Sequence, residues 1–195
     1  LLDDAVVVDF ILQDSIAELV TNCLDQEAFL FKATLFDKQA GSNWLVSWHQ
    51  DVTLPVKHRT ASTGWSGWSR KAGVDYAIAP VDVMERVLAL RIHLDDCGPD
   101  NGPLRVRPGT HRLGRLTCLE PSFREEYSCL ARRGDALLMR PLLQHASSKA
   151  LLATHRRILH LEFANFALIG PEWRDQIFLK PAPRHTTVDR KRPSE

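Results

Sequence analysis

The chain has 195 residues, 44% of them hydrophobic and 25% charged, the make-up of one globular domain that buries its core without disulfides or a structural metal. A net charge of +1 removes any global attraction to nucleic acid or an anionic membrane surface, and no apolar run approaches the roughly 20 residues that span a bilayer. Cysteines at 23, 97, 118 and 129 form no C-x-x-C pair and read as reduced thiols of a cytoplasmic protein. The first residue is Leu, and Leu1-Leu2 opens without a helix cap, so the sequence is read as beginning inside a longer chain.

Residues 14–25 place Ile16, Leu19, Val20, Cys23 and Leu24 at helical spacing behind Asp14 or Ser15 as cap. Runs of aromatic and aliphatic residues at 28–36 (AFLFKATLF) and 43–51 (NWLVSWHQD) predict two strands. Residues 52–74 contain no acid. They carry Lys57, His58, Arg59, Arg70, Lys71 and the phrase GWSGWS, which predicts a basic loop.

Residues 86–95 alternate, with Leu88, Leu90, Ile92 and Leu94 on one face and Arg91, His93 and Asp95 on the other. The turn at 99–103 contains Asn101-Gly102, a pair suited to positive backbone angles. A short strand at 104–107 follows. Two late strands span 134–147 and 156–164, and Pro141 marks an edge, bulge or break in the first. The tail at 181–195 is polar and Pro-containing, hence predicted to pack poorly. One helix followed by many short strands predicts an all-β domain with flanking helices over 1–180, a barrel or jelly roll.

His49-Gln50-Asp51, then His145 and Arg156 eleven residues after it, are the candidate site. Two imidazoles and a carboxylate that leave coordination positions open are the ligand set of non-haem iron oxygenases. Residues i and i+2 of a strand point to one side, so His49 and Asp51 can reach one ion. A second such pair, His93 and Asp95, lies inside a cleanly alternating strand. It is read as lining a cavity or bonding to a neighbour. His49 instead ends a strand whose Trp44 and Trp48 lie on the opposite face, and a glycine-bearing basic loop follows. His145, at the end of an apolar strand, supplies the third ligand. A guanidinium takes a carboxylate bidentately, and only one of Arg156 and Arg157 can face inward.

These residues resemble the phytanoyl-CoA dioxygenase family of Fe(II)- and 2-oxoglutarate-dependent oxygenases. The likeness runs from about residue 28 to 164 through WHQD (48–51), DNGPLRVRPGTHR (100–112), GDALLMRPLLQHAS (134–147) and RRILHLEFA (156–164). It implies a double-stranded β-helix, the jelly-roll barrel, with His49, Asp51 and His145 as iron ligands. It also implies Arg156 as the partner of the distal carboxylate of 2-oxoglutarate, Ser147 as a hydroxyl assisting there, and Arg91 on the strand lining that pocket. The expected reaction uses dioxygen, converts 2-oxoglutarate to succinate and carbon dioxide, and hydroxylates or desaturates a small organic substrate. The acid-free segment 52–74 would serve as a lid attracting an anionic substrate, with Trp65 and Trp68 packed over it. His111, after a Pro-Gly turn, is structural or surface.

Two other readings remain open from the residues. One is a jelly-roll module that binds a ligand without turnover. The other is a cupin-type zinc or manganese enzyme of different chemistry, since three protein ligands also suit catalytic zinc; that reading leaves Arg156 unused.

Overall fold

A computed structural model describes residues 1–24, 27–39, 41–116, 125–151 and 155–180. The 181–195 tail and Cys118 lie outside these residues. In chain order the elements are α1 (Ala5–Ile11), α2 (Asp14–Leu24), β1 (Phe29–Lys38), β2 (Val46–His49), β3 (Thr53–Val56), β4 (Ser66–Lys71), β5 (Val74–Ile78), α3 (Val81–Arg86), β6 (Leu88–His93), β7 (Leu104–Val106), β8 (Tyr127–Cys129), β9 (Ala136–Met139), β10 (His145–Ser147), β11 (Arg156–Ala164) and β12 (Ile177–Phe178). The chain is mostly β with a few helices, as the turn-rich sequence predicts. No described helix is long and apolar enough to cross a membrane. Cys23, Cys97 and Cys129 carry free thiols.

The start of the chain is capped after all. The Asp4 carboxylate accepts the Val6 and Val7 amides at 3.0 and 3.2 Å and opens α1, satisfying donors a helix leaves unpaired at its N-terminus. The second helix begins at Asp14 itself and buries Ile16, Ala17, Val20 and Leu24, while Leu19 and Cys23 are exposed.

Two larger antiparallel sheets organise the rest: β12-β1-β11-β6-β9 and β2-β10-β7-β8. On the five-stranded sheet Leu88, Leu90 and Ile92 of β6 and Leu159, Leu161 and Phe163 of β11 pack against Ile11, Ile16 and Val20 of the helices. Each such fully buried side chain contributes ~1.5–3 kcal/mol. Period-two alternation then sends Arg91, Arg156, His160 and Glu162 to the opposite face, and all four are buried. A bulge at Leu30/Lys32 in β1 places two successive side chains on that inner side. Phe31 joins the aromatic cluster around Trp173, and Lys32 pairs with Glu162. An extra residue re-aiming a side chain is the usual consequence of a bulge.

Residues 52–74 are not a loop. Strands β3 and β4 both pair with β5 in a third, three-stranded sheet. Trp65 is buried and its indole N–H donates to the Ile169 carbonyl at 3.2 Å. Lys57 is paired with Glu172 and Arg59 with Asp75. Pro141 breaks the predicted strand 134–147 in two. Its first half, β9, belongs to the five-stranded sheet and its second, β10, to the four-stranded one.

Candidate metal and co-substrate site

His145 on β10 stands directly opposite His49 on β2 in the antiparallel register, and the two rings lie 4.2 Å apart. Strand β2 ends at His49. Asp51 is carried past it and fixed by its own amide, which donates to the Pro141 carbonyl at 3.0 Å. The Asp51 carboxylate faces both imidazoles, 3.6 Å from His49 Nε2 and 3.5 Å from His145 Nε2. Bonds of ~2.1 Å to one ion set neighbouring donors about 3 Å apart in an octahedral face, so these three groups fit a single cation. Among the described residues, no other cluster of His, Cys, Asp or Glu has ligand atoms within 4.8 Å of one another.

The tautomers suit that use. His49 Nδ1 lies 2.8 Å from the Ser47 carbonyl and His145 Nδ1 2.8 Å from the Leu143 carbonyl. A carbonyl only accepts, so each Nδ1 carries a proton and each Nε2 faces Asp51, where it can offer a metal its lone pair once any proton there has left, the arrangement that orients metal-bound histidines. Burial alone would raise the Asp51 carboxyl; the hydrogen bond from His49 and the charges of the imidazoles hold it well below the usual carboxylate range. Asp51 in turn raises His49, whereas burial lowers His145. In the metal-free chain the His49–Asp51 pair is therefore a place for a proton, and a cation must displace it.

Gln50, between the two ligands, stitches three segments together. Its amide nitrogen donates to the Gly114 and Leu142 carbonyls at 2.9 and 2.6 Å, and its oxygen accepts the Leu116 amide at 2.8 Å. Thr110 of the Pro-Gly-Thr-His phrase accepts the Gln144 amide at 2.9 Å, bracing the residue before His145.

The triad opens on a cavity of about 150 Å³ that both larger sheets line, and Arg91, Arg156, His160 and Ser147 contribute to its wall. Arg156 is 2% exposed. Its Nη1 donates to the Gly102 carbonyl at 2.7 Å, and the Ser147 hydroxyl donates to the same carbonyl at 2.9 Å. Gly102 takes the left-handed conformation there and Asn101 does not; Asn101 closes a short 3-10 turn. Arg157 faces out, with Nε and Nη2 on the Asp95 carboxylate at 2.9 and 2.7 Å. That pairing removes Asp95 from any metal site and leaves His93 buried alone. His111 lies in a 3-10 turn, half-buried.

Three contributors escaped the sequence reading. Lys38, fully buried, donates to Ser147 Oγ at 2.8 Å and to the Ser148 carbonyl at 2.6 Å. Burial and the neighbouring Arg156 bring it down to about 8. Lys32, paired with Glu162, borders the same space; burial opposes the Lys32 charge, and Glu162 outweighs it. Trp44, expected opposite His49, lines the cavity with it. Only Trp48 lies beyond, stacked 4.3 Å from the Arg107 guanidinium. The one sequence signal for Lys38 was its place on the period-two face shared by Phe36.

The phytanoyl-CoA dioxygenase family model matches residues 1–158. The chain belongs to the phytanoyl-CoA dioxygenase family. This family member also shares its fold with solved structures. Iron-bound EctD from S. alaskensis superposes with a TM-score of 0.64 at 21% identity, covering 86% of this chain and 56% of that one. The alpha-ketoglutarate-dependent epimerase SnoN from nogalamycin biosynthesis gives 0.61 at 15%, covering 84% and 58%. AviO1 from Streptomyces viridochromogenes Tue57 gives 0.57 at 23%, covering 84% and 62%. The family member thus spans less than two thirds of each of these proteins. No curated protein matches it in sequence.

Proposed function

We propose that this chain is an Fe(II)- and 2-oxoglutarate-dependent dioxygenase that hydroxylates a C–H bond of a small organic molecule. The observation that carries the reading is the meeting of His49, Asp51 and His145 in one cavity with Arg156, a guanidinium without a carboxylate among the described residues. When bound, iron and 2-oxoglutarate supply dioxygen activation, with decarboxylation of the keto-acid to succinate and carbon dioxide. Everything else is positioning by the protein.

His49, Asp51 and His145 hold the metal on one side and leave the other free. Arg156 receives the distal carboxylate of the co-substrate, Ser147 hydrogen-bonds to it, and Lys38 adds charge behind Ser147. The Gly102 carbonyl fixes the Arg156 fork before any ligand arrives. Trp44 and Phe36 are apolar walls of the cavity, which limit water around the reacting atoms. Proteins of like fold support the reading: EctD has been solved with Fe and with 2-oxoglutarate, and SnoN is an alpha-ketoglutarate-dependent epimerase. A zinc hydrolase would leave Arg156, Ser147 and Lys38 without a ligand.

We also infer that the two larger sheets are the halves of a double-stranded β-helix, with residues 1–180 as one oxygenase domain. Support comes from strand order. One sheet holds β1, β11, β6 and β9, the other β2, β10, β7 and β8, so the chain passes repeatedly between them. The test of function is succinate release from 2-oxoglutarate by the purified chain. It should require Fe(II) and dioxygen and vanish in His145→Ala; release independent of Fe(II) would refute the assignment.

A further inference from the structure

In the basic segment expected to attract an anionic substrate, Lys57 and Arg59 already hold Glu172 and Asp75. Positive charge without a carboxylate partner also lies inside the cavity. Lys32, Arg91 and Arg156 line it, and Lys38 reaches it through Ser147. Glu162 is taken by Lys32, and Asp51 by the two imidazoles. Among the described residues no carboxylate forms an ion pair with Lys38, Arg91 or Arg156.

Both arginines leave Nε unpartnered, but Arg156 donates to the Gly102 carbonyl, whereas Arg91 has only an imidazole nitrogen. Arg91 is 6% exposed. Its Nη1 meets His160 Nδ1 at 3.2 Å, its guanidinium lies 5.6 Å from the Phe36 ring centre, and its Nε has no partner. Burial, then the Arg91 charge, push His160 down to about 3, so His160 orients the guanidinium without neutralising it. A buried cation left uncompensated is destabilising by several kcal/mol.

The co-substrate as placed above does not supply the missing charge. Arg91 pairs across the sheet with His160, four residues along β11 from Arg156, so the backbones stand ~13 Å apart at ~3.3 Å per residue while both guanidiniums turn into one cavity. A five-carbon diacid anchored on Arg156 with its keto-acid end at the metal has no third anionic group. Its two charges are matched by Arg156 and by the metal centre.

We propose that Arg91 receives a carboxylate of the primary substrate, so that the enzyme acts on a small free carboxylic acid and not on a neutral or thioester-masked chain. This rests on the oxygenase reading above. The buried charges on the wall and a cavity of about 150 Å³ that the co-substrate shares leave room for a compact acid and oppose a long alkyl chain, which gains nothing beside buried charges.

The test uses the full chain loaded with nickel(II), a redox-silent stand-in, and titrated by calorimetry. First, 2-oxoglutarate is titrated into wild type, Arg91→Gln and Arg156→Gln. Then, with 2-oxoglutarate saturating, a panel of amino acids, hydroxy acids and aromatic acids is titrated beside the corresponding primary amides. Arg91→Gln should bind 2-oxoglutarate within threefold of wild type, while Arg156→Gln loses at least tenfold. At least one acid should bind wild type tenfold tighter than its amide. That preference should disappear in Arg91→Gln and survive in Arg91→Lys. Without ligands Arg91→Gln should melt no lower than wild type, unlike a residue with a structural ion pair.

If Arg91→Gln loses 2-oxoglutarate as Arg156→Gln does, Arg91 serves the co-substrate and the inference falls. It falls equally if no acid binds, or if amides bind as well as acids. Failure of wild type to bind 2-oxoglutarate at all sinks the oxygenase reading itself.

Discussion

Gly102→Ala probes the one backbone position on which the co-substrate end of the cavity is hung. Gly102 has φ +61, and a Cβ there would stand 2.5 Å from the Ser148 carbonyl oxygen and 3.2 Å from the Ala150 nitrogen. The left-handed conformation costs a residue with a side chain ~1–2 kcal/mol. The contact is with backbone, so relief requires moving residues 148–150, an overpacking penalty of ~1–3 kcal/mol. The sum is about 2–5 kcal/mol, which at ~2–4 °C per kcal/mol for a chain of this size lowers Tm by roughly 4–20 °C.

The same shift displaces the carbonyl that holds Arg156 Nη1 and the Ser147 hydroxyl, so 2-oxoglutarate affinity should fall at least tenfold. Thermal melts and calorimetric titration of the nickel-loaded protein measure both. Gly98→Ala is the control, because a Cβ there meets nothing within 4 Å, and it should change neither. A Gly102→Ala protein that matches Gly98→Ala in melting and in 2-oxoglutarate binding would refute the reasoning.

Four further outcomes are expected. His145→Ala should remove measurable turnover and weaken Fe(II) binding by at least tenfold, read by equilibrium dialysis. Arg156→Ala should raise the 2-oxoglutarate requirement with little loss of maximal rate. Arg157→Ala, which removes an outward partner of Asp95, should leave that requirement unchanged, and a reversed pair would place the strand register one residue off. Gln50→Ala strands two carbonyls and an amide and should lower stability in urea melts by about 1–3 kcal/mol. Metal affinity should weaken as pH falls. Asp51 raises His49 above its ordinary 6.5, so protons compete with the metal already above that pH. In the metal-free chain the sign is opposite: the stability contributed by protonated His49 is full below its unfolded value and is lost as pH rises through the folded one. A pH series of metal titrations that stays flat down to pH 6 would contradict this.

Much of the architecture was legible because strand alternation is a local signal. The face shared by Leu88, Leu90 and Ile92, the outward turn of Arg157 and the break at Pro141 all follow from period two and from proline. The two histidines were legible only as a motif, since nothing local states that residue 145 stands opposite residue 49. Lys32 and Lys38 were not legible. Strict alternation from Phe29 and Phe31 would aim Lys32 outward, and it is the bulge at Leu30/Lys32 that turns it inward; a lysine at a strand end, like Lys38, ordinarily reads as solvated. The segment 52–74 misled because Gly, Ser and paired bases resemble a loop. Strand β4 folds back on β5 through a local turn at Ala72-Gly73, whereas β3 pairs with β5 across the intervening residues, and two of the cations, Lys57 and Arg59, are paired with Glu172 and Asp75.

Anaerobic addition of Fe(II) and then 2-oxoglutarate to the full chain, followed by visible absorption, is the most direct test of the His49–Asp51–His145 centre. A weak charge-transfer band should appear only when both are present and should be absent in His145→Ala. Binding of both components by wild type with no such band would contradict the assignment of those three side chains and of the chemistry built on them.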